Sequence, residues 1–339
     1  MQPSVESIAH ASSGRQAGPA LPTFAVIIPT QNGGAFAALQ VAALKSQSAQ
    51  PCEVLIIDSG SVDDTVSIFR GAGYRVHTIA PAQFDHGGTR NLGAALVDPR
   101  ADLLVFLTQD AIPANAQALA RLLHSFTDAD VAMAYGRQLP RPEAGPIERH
   151  ARLFNYGDTG LSKRLPAARA LGIKAVFASN SFAAYRRSIF NQLGGFATPV
   201  IMGEDQVFAA RALQGGWTVV YAARAEAVHS HGYTPLQEFR RYFDTGVYHA
   251  AFPMIAEQFG GVGGEGFAFI RSEVAYLGRT APHLIPLAAL HWVAKYTGYR
   301  IGRHAARLPA RLRPRLAMHK GYFRRLHAGA APTSVEVAD

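Results

Sequence analysis

The sequence has little cysteine, little charge and no long apolar run, and each shortage excludes a class of protein. Cys52 is the only cysteine in 339 residues, so the chain cannot form an internal disulfide and fits a reducing compartment. Charged residues make up 17% of the chain, which is too few for a coiled coil or a disordered protein. No window of about 20 residues is apolar enough to span a bilayer. We therefore expect a soluble or peripheral cytoplasmic protein.

Two glycine-rich phosphate-binding motifs are missing from the ends of the predicted strands. No predicted strand is followed by G-x-G-x-x-G or by G-x-x-x-x-G-K-[ST]. Such motifs bring backbone N–H groups against the phosphates of dinucleotides and nucleoside triphosphates. Their absence there argues against a dinucleotide oxidoreductase and against a P-loop enzyme.

Positive charge is concentrated near the C-terminus. The formal net charge is +9, yet residues 1–270 hold 21 basic and 21 acidic side chains. Residues 271–325 hold 12 basic side chains and the single acid Glu273. The charge excess therefore belongs to one segment of the chain.

Short β-branched runs alternate with helical patterns after a loose Ala-, Ser-, Gly- and Pro-rich tail over residues 1–22. Strands are predicted over residues 24–28, 53–58, 75–79 and 102–107, and helices over residues 35–47, 65–72 and 91–97. This alternation is typical of βαβ units. It predicts a mostly parallel sheet that is covered by helices on both faces.

The middle of the chain is less regular. Helices are predicted over residues 116–126, 187–193 and 205–214, and strands over residues 131–135, 174–185, 218–222 and 227–230. Residues 141–169 are rich in proline, glycine and charge, and we expect a long loop there with room for one helix. Beyond Pro235 the pattern is helical, aromatic and finally basic.

Polar clusters follow three of the predicted strands. They are Pro29-Thr-Gln-Asn32, Asp58-Ser-Gly-Ser61 and Thr108-Gln-Asp110. Ligands of open α/β sheets bind outside the carboxyl ends of the strands. One such cluster is more often a capped turn, but three together favour a site for a nucleotide diphosphate.

Seven motifs occur in a characteristic order over residues 23–232: FAVIIPTQNG, EVLIIDSGSVDDT, TRNLGA, VFLTQDAIP, SNSFAAYRRSIFNQLGGF, GEDQVFAARALQGGW and HSH. In this order they resemble the family 2 glycosyltransferases of GT-A fold. The segments Phe84-Asp-His-Gly-Gly-Thr-Arg-Asn91 and Leu107-Thr-Gln-Asp-Ala111 are similar to the rhamnosyltransferase branch, which builds bacterial O-antigens and related surface polysaccharides from dTDP-L-rhamnose. The resemblance implies an α/β, Rossmann-like nucleotide-diphospho-sugar transferase fold, with a mixed, mostly parallel sheet.

The resemblance also implies a divalent cation, Mg²⁺ or Mn²⁺, beside the diphosphate leaving group. The family's Asp-x-Asp motif is Thr108-Gln109-Asp110 here, so a hydroxyl replaces the first carboxylate. In related enzymes a histidine about two dozen residues after the catalytic carboxylate completes the metal site, which implies Asp110 and His229 as ligands. His231 is a further candidate, because residues i and i+2 of an extended segment share a face. Two hydrogen-bonded structural histidines are the alternative.

The pair Glu204 and Asp205 precedes a predicted helix, where an acidic residue is also an ordinary N-cap. The resemblance implies instead that Asp205 is the general base, which removes the proton of the acceptor hydroxyl as that hydroxyl attacks the anomeric carbon. Such in-line attack inverts the anomeric configuration. Glu204 would orient the acceptor or the base.

Further residues are assigned to the nucleotide sugar and the acceptor by the same resemblance. Asp58 would accept the ring N–H of a uracil or thymine base, and Arg90 is a candidate for the pyrophosphate, with a structural ion pair as the equal alternative. The remaining assignments are Pro29, Thr30, Gln31 and Asn32 to the base and ribose, Gln109 and Asp110 to the nucleotide sugar, and Ser179, Asn180 and Ser181 to the sugar and acceptor pocket.

Residues 295–325 contain ten Lys or Arg and no acid, and Leu308, Leu312 and Leu316 recur there at intervals of four. A basic, partly amphipathic segment suits anionic lipid headgroups. Because the acceptors of these enzymes are commonly polyprenyl-diphosphate-linked sugars, we favour a membrane surface over nucleic acid, for which no recognition motif is present. A solvated helical face that supports a dimer is the remaining alternative.

The predicted organisation is a tail over residues 1–22, a glycosyltransferase domain over 23–232, a helical basic extension over 233–327 and a loose tail over 328–339. Within the domain, residues 23–115 form the nucleotide-sugar half and residues 116–232 the acceptor half. The expected function is inverting transfer of L-rhamnose from dTDP-L-rhamnose to a lipid-linked glycan at the cytoplasmic face of the inner membrane. The alternatives are a related transferase with a UDP-sugar donor, and a catalytically weakened module that binds sugar nucleotide or scaffolds a polysaccharide complex.

Overall fold

Apolar runs that end in polar turns form the central strands of the protein. The structure is a computed structural model that describes residues 22–261 and 263–328, so most of the two predicted tails lies outside the described residues. The strands are β1 Phe24–Thr30, β2 Glu53–Asp58, β3 Arg75–Thr78, β4 Leu103–Leu107, β5 Ile112–Pro113, β6 Val131–Leu139, β7 Leu161–Lys163, β8 Phe182–Arg186 and β9 Thr218–Val228.

These strands form one mixed sheet with the order β3-β2-β1-β4-β8-β6-β9-β5, and β7 also pairs with β9. Strands β1 to β4 pair in parallel, β8 runs antiparallel to both β4 and β6, and β6 is parallel to β9. The longest pairings are the parallel ones, between β6 and β9 and between β1 and β2. The pairings of β5 and of β7 with β9 are antiparallel and short, so most paired residues belong to parallel strands and the predicted mixed, mostly parallel sheet is confirmed.

Helices cover both faces of this sheet. They are α1 Gly34–Lys45, α2 Thr65–Gly71, α3 His86–Leu96, α4 Ala118–Leu123, α5 Pro146–Asn155, α6 Arg187–Gln192, α7 Glu204–Gln214, α8 Pro235–Ala251, α9 Pro253–Phe259, α10 Gly263–Thr280, α11 Ile285–Arg303, α12 Arg313–Leu316 and α13 Lys320–Ala328. Alternate residues of β1 point to opposite faces, so Val26 packs with α1, α2 and α4, while Ile27 packs with α3, α6 and α7. Burial on both faces explains why the central strands are almost wholly apolar.

The C-terminal helices are joined to the sheet rather than separate from it. Helices α8 and α11 touch backbone to backbone, because a Cβ at Gly298 would lie 2.3 Å from Phe239 O and one at Gly302 would lie 2.1 Å from Phe243 O. Phe323 of α13 is buried in the same core as Ile27. None of the described helices is long and apolar enough to span a membrane.

Helix α3 begins at His86, five residues before the predicted start. Asp85 caps it, because its carboxylate accepts the backbone N–H groups of Gly87 and Gly88. Two glycines weaken the helical pattern in the sequence, but close packing requires one of them: a Cβ at Gly87 would lie 1.9 Å from Ala197 O.

Strand β9 is one strand from Thr218 to Val228, where two short strands were expected. It bulges opposite β6, since Ala222 pairs with Gly136 while Glu226 pairs with the next residue, Arg137. The bulge lies against Gly136, where a Cβ would be 2.5 Å from Ala225 O.

Two irregular regions also differ from the prediction. Residues 174–181 are not a strand: Lys174 and Ala175 end a 3-10 helix, Ala167–Ala175, and β8 begins only at Phe182. The Lys163 ammonium binds the carbonyl oxygens of Lys174 and Phe177 at 3.4 and 2.7 Å. The expected loop over residues 141–169 contains one helix, α5, for which the prediction left room, and also the short strand β7, which was not expected. Leu308, Leu312 and Leu316 do not share one helix, since α12 spans only Arg313–Leu316.

Candidate active site

A cavity of about 1590 Å³ lies at the carboxyl ends of β1 and β4, between the sheet and the C-terminal helices. Thirteen of the fifteen predicted site residues line it: Pro29, Thr30, Gln31, Arg90, Gln109, Asp110, Ser179, Asn180, Ser181, Glu204, Asp205, His229 and His231. The two that do not line it are Asn32 and Asp58. The position agrees with the rule that ligands of open α/β sheets bind beyond the strand ends.

Asp110, His229 and His231 form a cluster with the geometry of a metal site. Asp110 Oδ2 lies 3.4 Å from His229 Nε2 and 3.3 Å from His231 Nε2, and the two Nε2 atoms are 3.1 Å apart. One oxygen and two nitrogen ligands at these separations can surround a single cation. It is the only such cluster of three ligand side chains among the residues that the structure describes.

The orientation of His229 is set by its second ring nitrogen. Its Nδ1 lies 2.9 Å from Oε1 of Gln138, which also accepts a hydrogen bond from Arg152 at 2.6 Å. Because this amide oxygen can only accept, Nδ1 carries a proton, and Nε2 is the ring nitrogen that faces Asp110. The amide group of Gln138 is held in turn by Ser179 Oγ at 2.8 Å. Such a partner behind a histidine is typical of metal ligands.

The protonation of the cluster suits cation binding. Burial alone would raise the pKa of Asp110, but the hydrogen bond and charge of His229 hold it well below the ordinary value. Burial and the neighbouring His229 lower the pKa of His231 to about 4. At neutral pH the carboxylate is therefore ionised and His231 is neutral, as metal ligands must be. Tyr233 stacks on the His231 ring, with centroids 5.2 Å apart.

Glu204 and Asp205 begin helix α7 and line the same cavity. Asp205 accepts hydrogen bonds from the backbone N–H groups of Asn180 at 2.9 Å and Gln206 at 2.8 Å. Glu204 is buried and forms an ion pair with Arg90 at 3.2 Å. The Asn180 side chain donates to Glu204 at 2.9 Å and accepts from the Tyr185 hydroxyl at 2.6 Å. The two carboxylates are thus held by one network.

The pKa of Asp205 is higher than that of an ordinary aspartate, so more of its side chain is protonated at neutral pH. Burial, followed by the charge of Glu204, raises the pKa of Asp205 to about 7, while the two backbone hydrogen bonds and Arg90 oppose this shift. A carboxylate with a pKa near the working pH can both accept and release a proton efficiently. Asp205 is partly exposed to the cavity, so a ligand hydroxyl can reach it.

The polar turn after β1 is built around Gln109 and Asp58. Gln109 Oε1 accepts from Thr30 Oγ1 at 3.0 Å and from the backbone N–H of Gln31 at 2.7 Å. The Asp58 carboxylate is almost fully buried and accepts three donors from Gly60 and Ser61, two N–H groups and one hydroxyl.

Asn32 is held by the same turn. Its backbone N–H donates to Ser61 Oγ at 2.8 Å, and its side-chain oxygen accepts from Val62 N–H at 2.9 Å. Asn32 and Asp58 therefore shape the edge of the cavity from behind it.

Several cavity residues were not identified from the sequence. Arg152 and Arg241 line the wall near Tyr233, and Arg141, which does not line the cavity, lies 3.5 Å from the Asp110 carboxylate. Nothing in local spacing marks Arg152 and Arg241, because α5 and α8 bring them to the site from a region expected to be loop and from the C-terminal extension. Gln138 follows the predicted end of its strand, and only its polarity in the run VAMAYGRQL could have indicated a role.

The C-terminal segment also reaches the cavity. His319 Nδ1 lies 3.3 Å from His86 Nε2, and both side chains line the cavity together with Met318. The backbone N–H of His319 donates to the Asp244 carboxylate at 2.8 Å, and Arg325 pairs with Asp85 at 3.2 Å. The basic segment therefore completes the wall of the site beside α3.

Comparison with protein families gives one match. Residues 25–194 match the model of the family described as glycosyl transferase family 2. This range includes β1 to β8 and the first metal-cluster residue, Asp110.

Two curated relatives match nearly the whole chain. The chain is 47% identical to the O-antigen chain rhamnosyltransferase WbaN of Salmonella anatum over 304 residues, which cover 89% of this chain and 96% of the relative. It is 46% identical to the O-antigen chain rhamnosyltransferase RfbN of Salmonella typhimurium over 299 residues, which cover 88% and 95%.

Solved structures with the same fold are more distant in sequence. A mannosyltransferase from Pyrobaculum calidifontis, solved with GDP-Man and Mn²⁺, matches with a TM-score of 0.54 at 19% identity, and the match covers 91% of this chain and 87% of that chain. TarS of S. aureus, residues 1–349 with UDP-GlcNAc, matches with a TM-score of 0.50 at 16% identity and covers 84% and 91%. These likenesses concern the fold.

Proposed function

The chain belongs to glycosyl transferase family 2 and has a GT-A-like fold, and from this we propose that it is a rhamnosyltransferase of O-antigen synthesis. It takes L-rhamnose from dTDP-L-rhamnose and transfers it, with inversion, to a glycan acceptor. The observation that carries this proposal is that one cavity contains both a metal-type cluster and a carboxylate with a raised pKa. The two relatives named as rhamnosyltransferases support the choice of sugar.

Asp110, His229 and His231 are proposed to hold Mg²⁺ or Mn²⁺. The donor set fits, because its three atoms converge on one point and Gln138 fixes His229 from behind. When bound, such a cation offsets the negative charge that develops on the diphosphate leaving group. Thr108 supplies no carboxylate, so Asp110 is the single acidic ligand of the cluster. Arg141 places a further cation 3.5 Å from Asp110.

Asp205 is proposed to act as the general base. Its carboxylate accepts the proton of the acceptor hydroxyl while the hydroxyl oxygen attacks the anomeric carbon, and the diphosphate leaves from the opposite side. Backbone donors at Asn180 and Gln206 hold the carboxylate in place. Glu204 is bound to Arg90 and Asn180, which supports a role in positioning Asp205 and Asn180 rather than in binding the acceptor. Arg90 is accordingly assigned to this ion pair rather than to the pyrophosphate.

The nucleoside is proposed to bind along Pro29, Thr30, Gln31 and Gln109, with the sugar between them and Ser179, Asn180 and Ser181. A carboxylate has about four lone-pair directions, of which three at Asp58 are used by its own turn. One acceptor direction remains on Asp58, but the carboxylate is 1% exposed and does not line the cavity, so a thymine ring N–H reaches it only if the turn of Gly60 and Ser61 shifts. Asn32 supports the turn from the other side.

The acceptor is proposed to be a polyprenyl-diphosphate-linked glycan at the cytoplasmic face of the inner membrane, where the chain is bound peripherally. Support comes from the charge of residues 295–325 and from the O-antigen role in the names of the relatives. The protein's own contribution would be an anionic-lipid contact beside the active-site cavity. We assign no nucleic-acid partner.

A panel of sugar nucleotides tests the donor assignment. The purified chain should gain the largest thermal stabilisation from dTDP-L-rhamnose with Mn²⁺, and less from UDP-glucose, UDP-GlcNAc and GDP-mannose at the same concentration. The same panel read as donor hydrolysis or transfer separates an enzyme from a binding module. Stabilisation by dTDP-L-rhamnose without any turnover in the presence of acceptor would favour the scaffold alternative, and a larger effect of a UDP-sugar would overturn the donor.

A further inference from the structure

Helices α10 and α11 expose apolar side chains at the surface of the C-terminal region. Leu290 and Val293 of α11 are 59% and 61% exposed, and Phe267 of α10 is 81% exposed. In α11 these positions lie opposite Ala288, His291 and Gly298, which are buried against the neighbouring helices. An apolar face of this extent on an outer helix is a feature of surfaces that bind a partner or a membrane.

The active-site cavity opens at this face. Phe267, Leu287 and Tyr296 line the same cavity as Asp205 and His231. A ligand that extends from the catalytic carboxylate toward solvent in this direction would pass between α10 and α11. The exposed apolar face is therefore continuous with the route of the acceptor.

Charge at this face is predominantly positive. Helix α10 carries two acids: Glu265 pairs with Lys174 at 2.7 Å, and the side chain of Glu273 is 1% exposed. No further acid lies within the described residues 266–328. Arg271, Arg279 and Arg307 are exposed and belong to these helices or to the turn after them. Apolar side chains bordered by arginines are the composition of segments that lie in the interface of an anionic bilayer.

Part of the basic segment is used inside the protein. Lys295 pairs with Glu238, and Arg325 pairs with Asp85. Arg313 donates to the carbonyl oxygens of Leu308 and Ala306 at 3.1 and 2.9 Å. The expectation that residues 295–325 act as one electrostatic anchor therefore does not account for these three side chains.

We propose that the face formed by α10 and α11 docks on an anionic lipid bilayer. Phe267, Leu290 and Val293 enter the boundary between headgroups and acyl chains, the arginines contact the headgroups, and the cavity mouth meets the membrane. This inference rests on the proposed function in one respect: the proposed lipid-linked acceptor is the reason for placing the cavity mouth at the membrane.

Vesicle binding by the full chain tests this surface. The double variant Leu290→Ser, Val293→Ser changes two side chains that do not line the cavity. In co-sedimentation with vesicles of phosphatidylcholine and phosphatidylglycerol, its partition should fall at least about tenfold below that of the unchanged chain, because two apolar side chains no longer leave water. The control Leu39→Ser, Val62→Ser alters the same two residue types in the sheet domain, where they are 58% and 92% exposed, and should bind like the unchanged chain.

The salt dependence of vesicle binding and the oligomeric state of the double variant decide whether this surface binds lipid. Binding of the unchanged chain should weaken but persist at 0.5 M salt, a concentration that screens charges within about 4 Å, whereas the double variant should be released. Equal sedimentation of the double variant and the control would overturn the proposal. So would a change from dimer to monomer in the double variant with vesicle binding unaltered, because the face would then join two copies of the chain. A chain that binds vesicles through this face but transfers no sugar would contradict the proposed function and leave this inference intact.

Discussion

Asp205 is a carboxylate whose proton affinity is set by its neighbours. Burial and Glu204 raise its pKa to about 7, and a general base works only when deprotonated. We therefore expect kcat/KM to rise with pH and reach a plateau above about pH 7, and to fall about tenfold per unit well below it. A profile measured on the purified chain from pH 5.5 to 8.5 checks this. A flat profile across that range would contradict the assignment of Asp205 as the base.

The metal cluster gives a graded prediction. His229→Ala removes one ligand, and Gln138→Leu removes only the group behind it. Mn²⁺ affinity, measured by calorimetry with dTDP present, should be lost in the first variant and should fall about 10- to 100-fold in the second. The exposed His283 provides a control, and His283→Ala should bind Mn²⁺ normally. Turnover that is unaffected by EDTA would show that the cluster holds no functional cation.

Arg90 and Glu204 form a buried ion pair, with both side chains 5% exposed. Arg90→Met leaves the Glu204 carboxylate without its cation, and we expect the free energy of unfolding to fall by about 3–5 kcal/mol. The double variant Arg90→Met, Glu204→Gln should recover part of that loss, because no unpaired charge remains. Urea unfolding measures both. A loss no larger than that of the exposed control Arg121→Met would mean that the pair contributes little.

At the scale of elements, prediction from the sequence succeeded where local pattern and tertiary environment agree. Strand β2 was predicted with its observed bounds, because a short apolar run between Cys52 and a polar turn is typical of a buried strand. Helix α3 was predicted too short, since its start depends on the packing of Gly87 against Ala197 O, which no local pattern shows. Residues 174–181 were wrongly predicted as strand, since their apolar pattern does not show that a 3-10 helix ends at Ala175 or that Lys163 binds the carbonyl oxygens of Lys174 and Phe177.

The link between α8 and the C-terminal segment is sensitive to pH. Asp244 is fully buried and accepts from His319 N–H, and burial raises its pKa to about 7 while Arg241 opposes the shift. An acid with a raised folded-state pKa stabilises the fold less as pH rises from about 4 to about 7, because the charged form is penalised in the folded state. Asp244→Asn keeps the acceptor oxygen and removes the charge.

We therefore expect Asp244→Asn to raise Tm by a few degrees at pH 8, and the difference from the unchanged chain to shrink as pH is lowered toward 5. Scanning calorimetry at pH 5, 6.5 and 8 measures it. The exposed Asp130, which serves as the control, should show no such trend when changed to Asn. A lower Tm of Asp244→Asn at pH 8 would contradict the account of this contact.

At the scale of the whole molecule, the sheet domain and the helical region share one active-site cavity. The order of motifs in the sequence indicated the fold and thirteen of the residues that line the cavity. It did not indicate that Tyr248, Arg241 and His319 would line the same cavity, because contacts across 100 or more residues leave no periodic signal. The distribution of charge along the sequence indicated an unusually basic C-terminal region. It could not distinguish arginines proposed to bind lipid from those, such as Arg325, that pair with an acid inside the protein.

The central claim is that this cavity transfers rhamnose with Asp205 as the base. The most direct test is transfer of labelled rhamnose from dTDP-L-rhamnose to lipid-linked acceptor in membrane extracts, with Mn²⁺, by the unchanged chain and by Asp205→Asn. We expect a rhamnosylated lipid product from the unchanged chain, and a rate at least about 10²-fold lower from Asp205→Asn with dTDP binding nearly intact. Near-normal transfer by a folded Asp205→Asn protein, or no product from the unchanged chain while a UDP-sugar is turned over, would contradict the account.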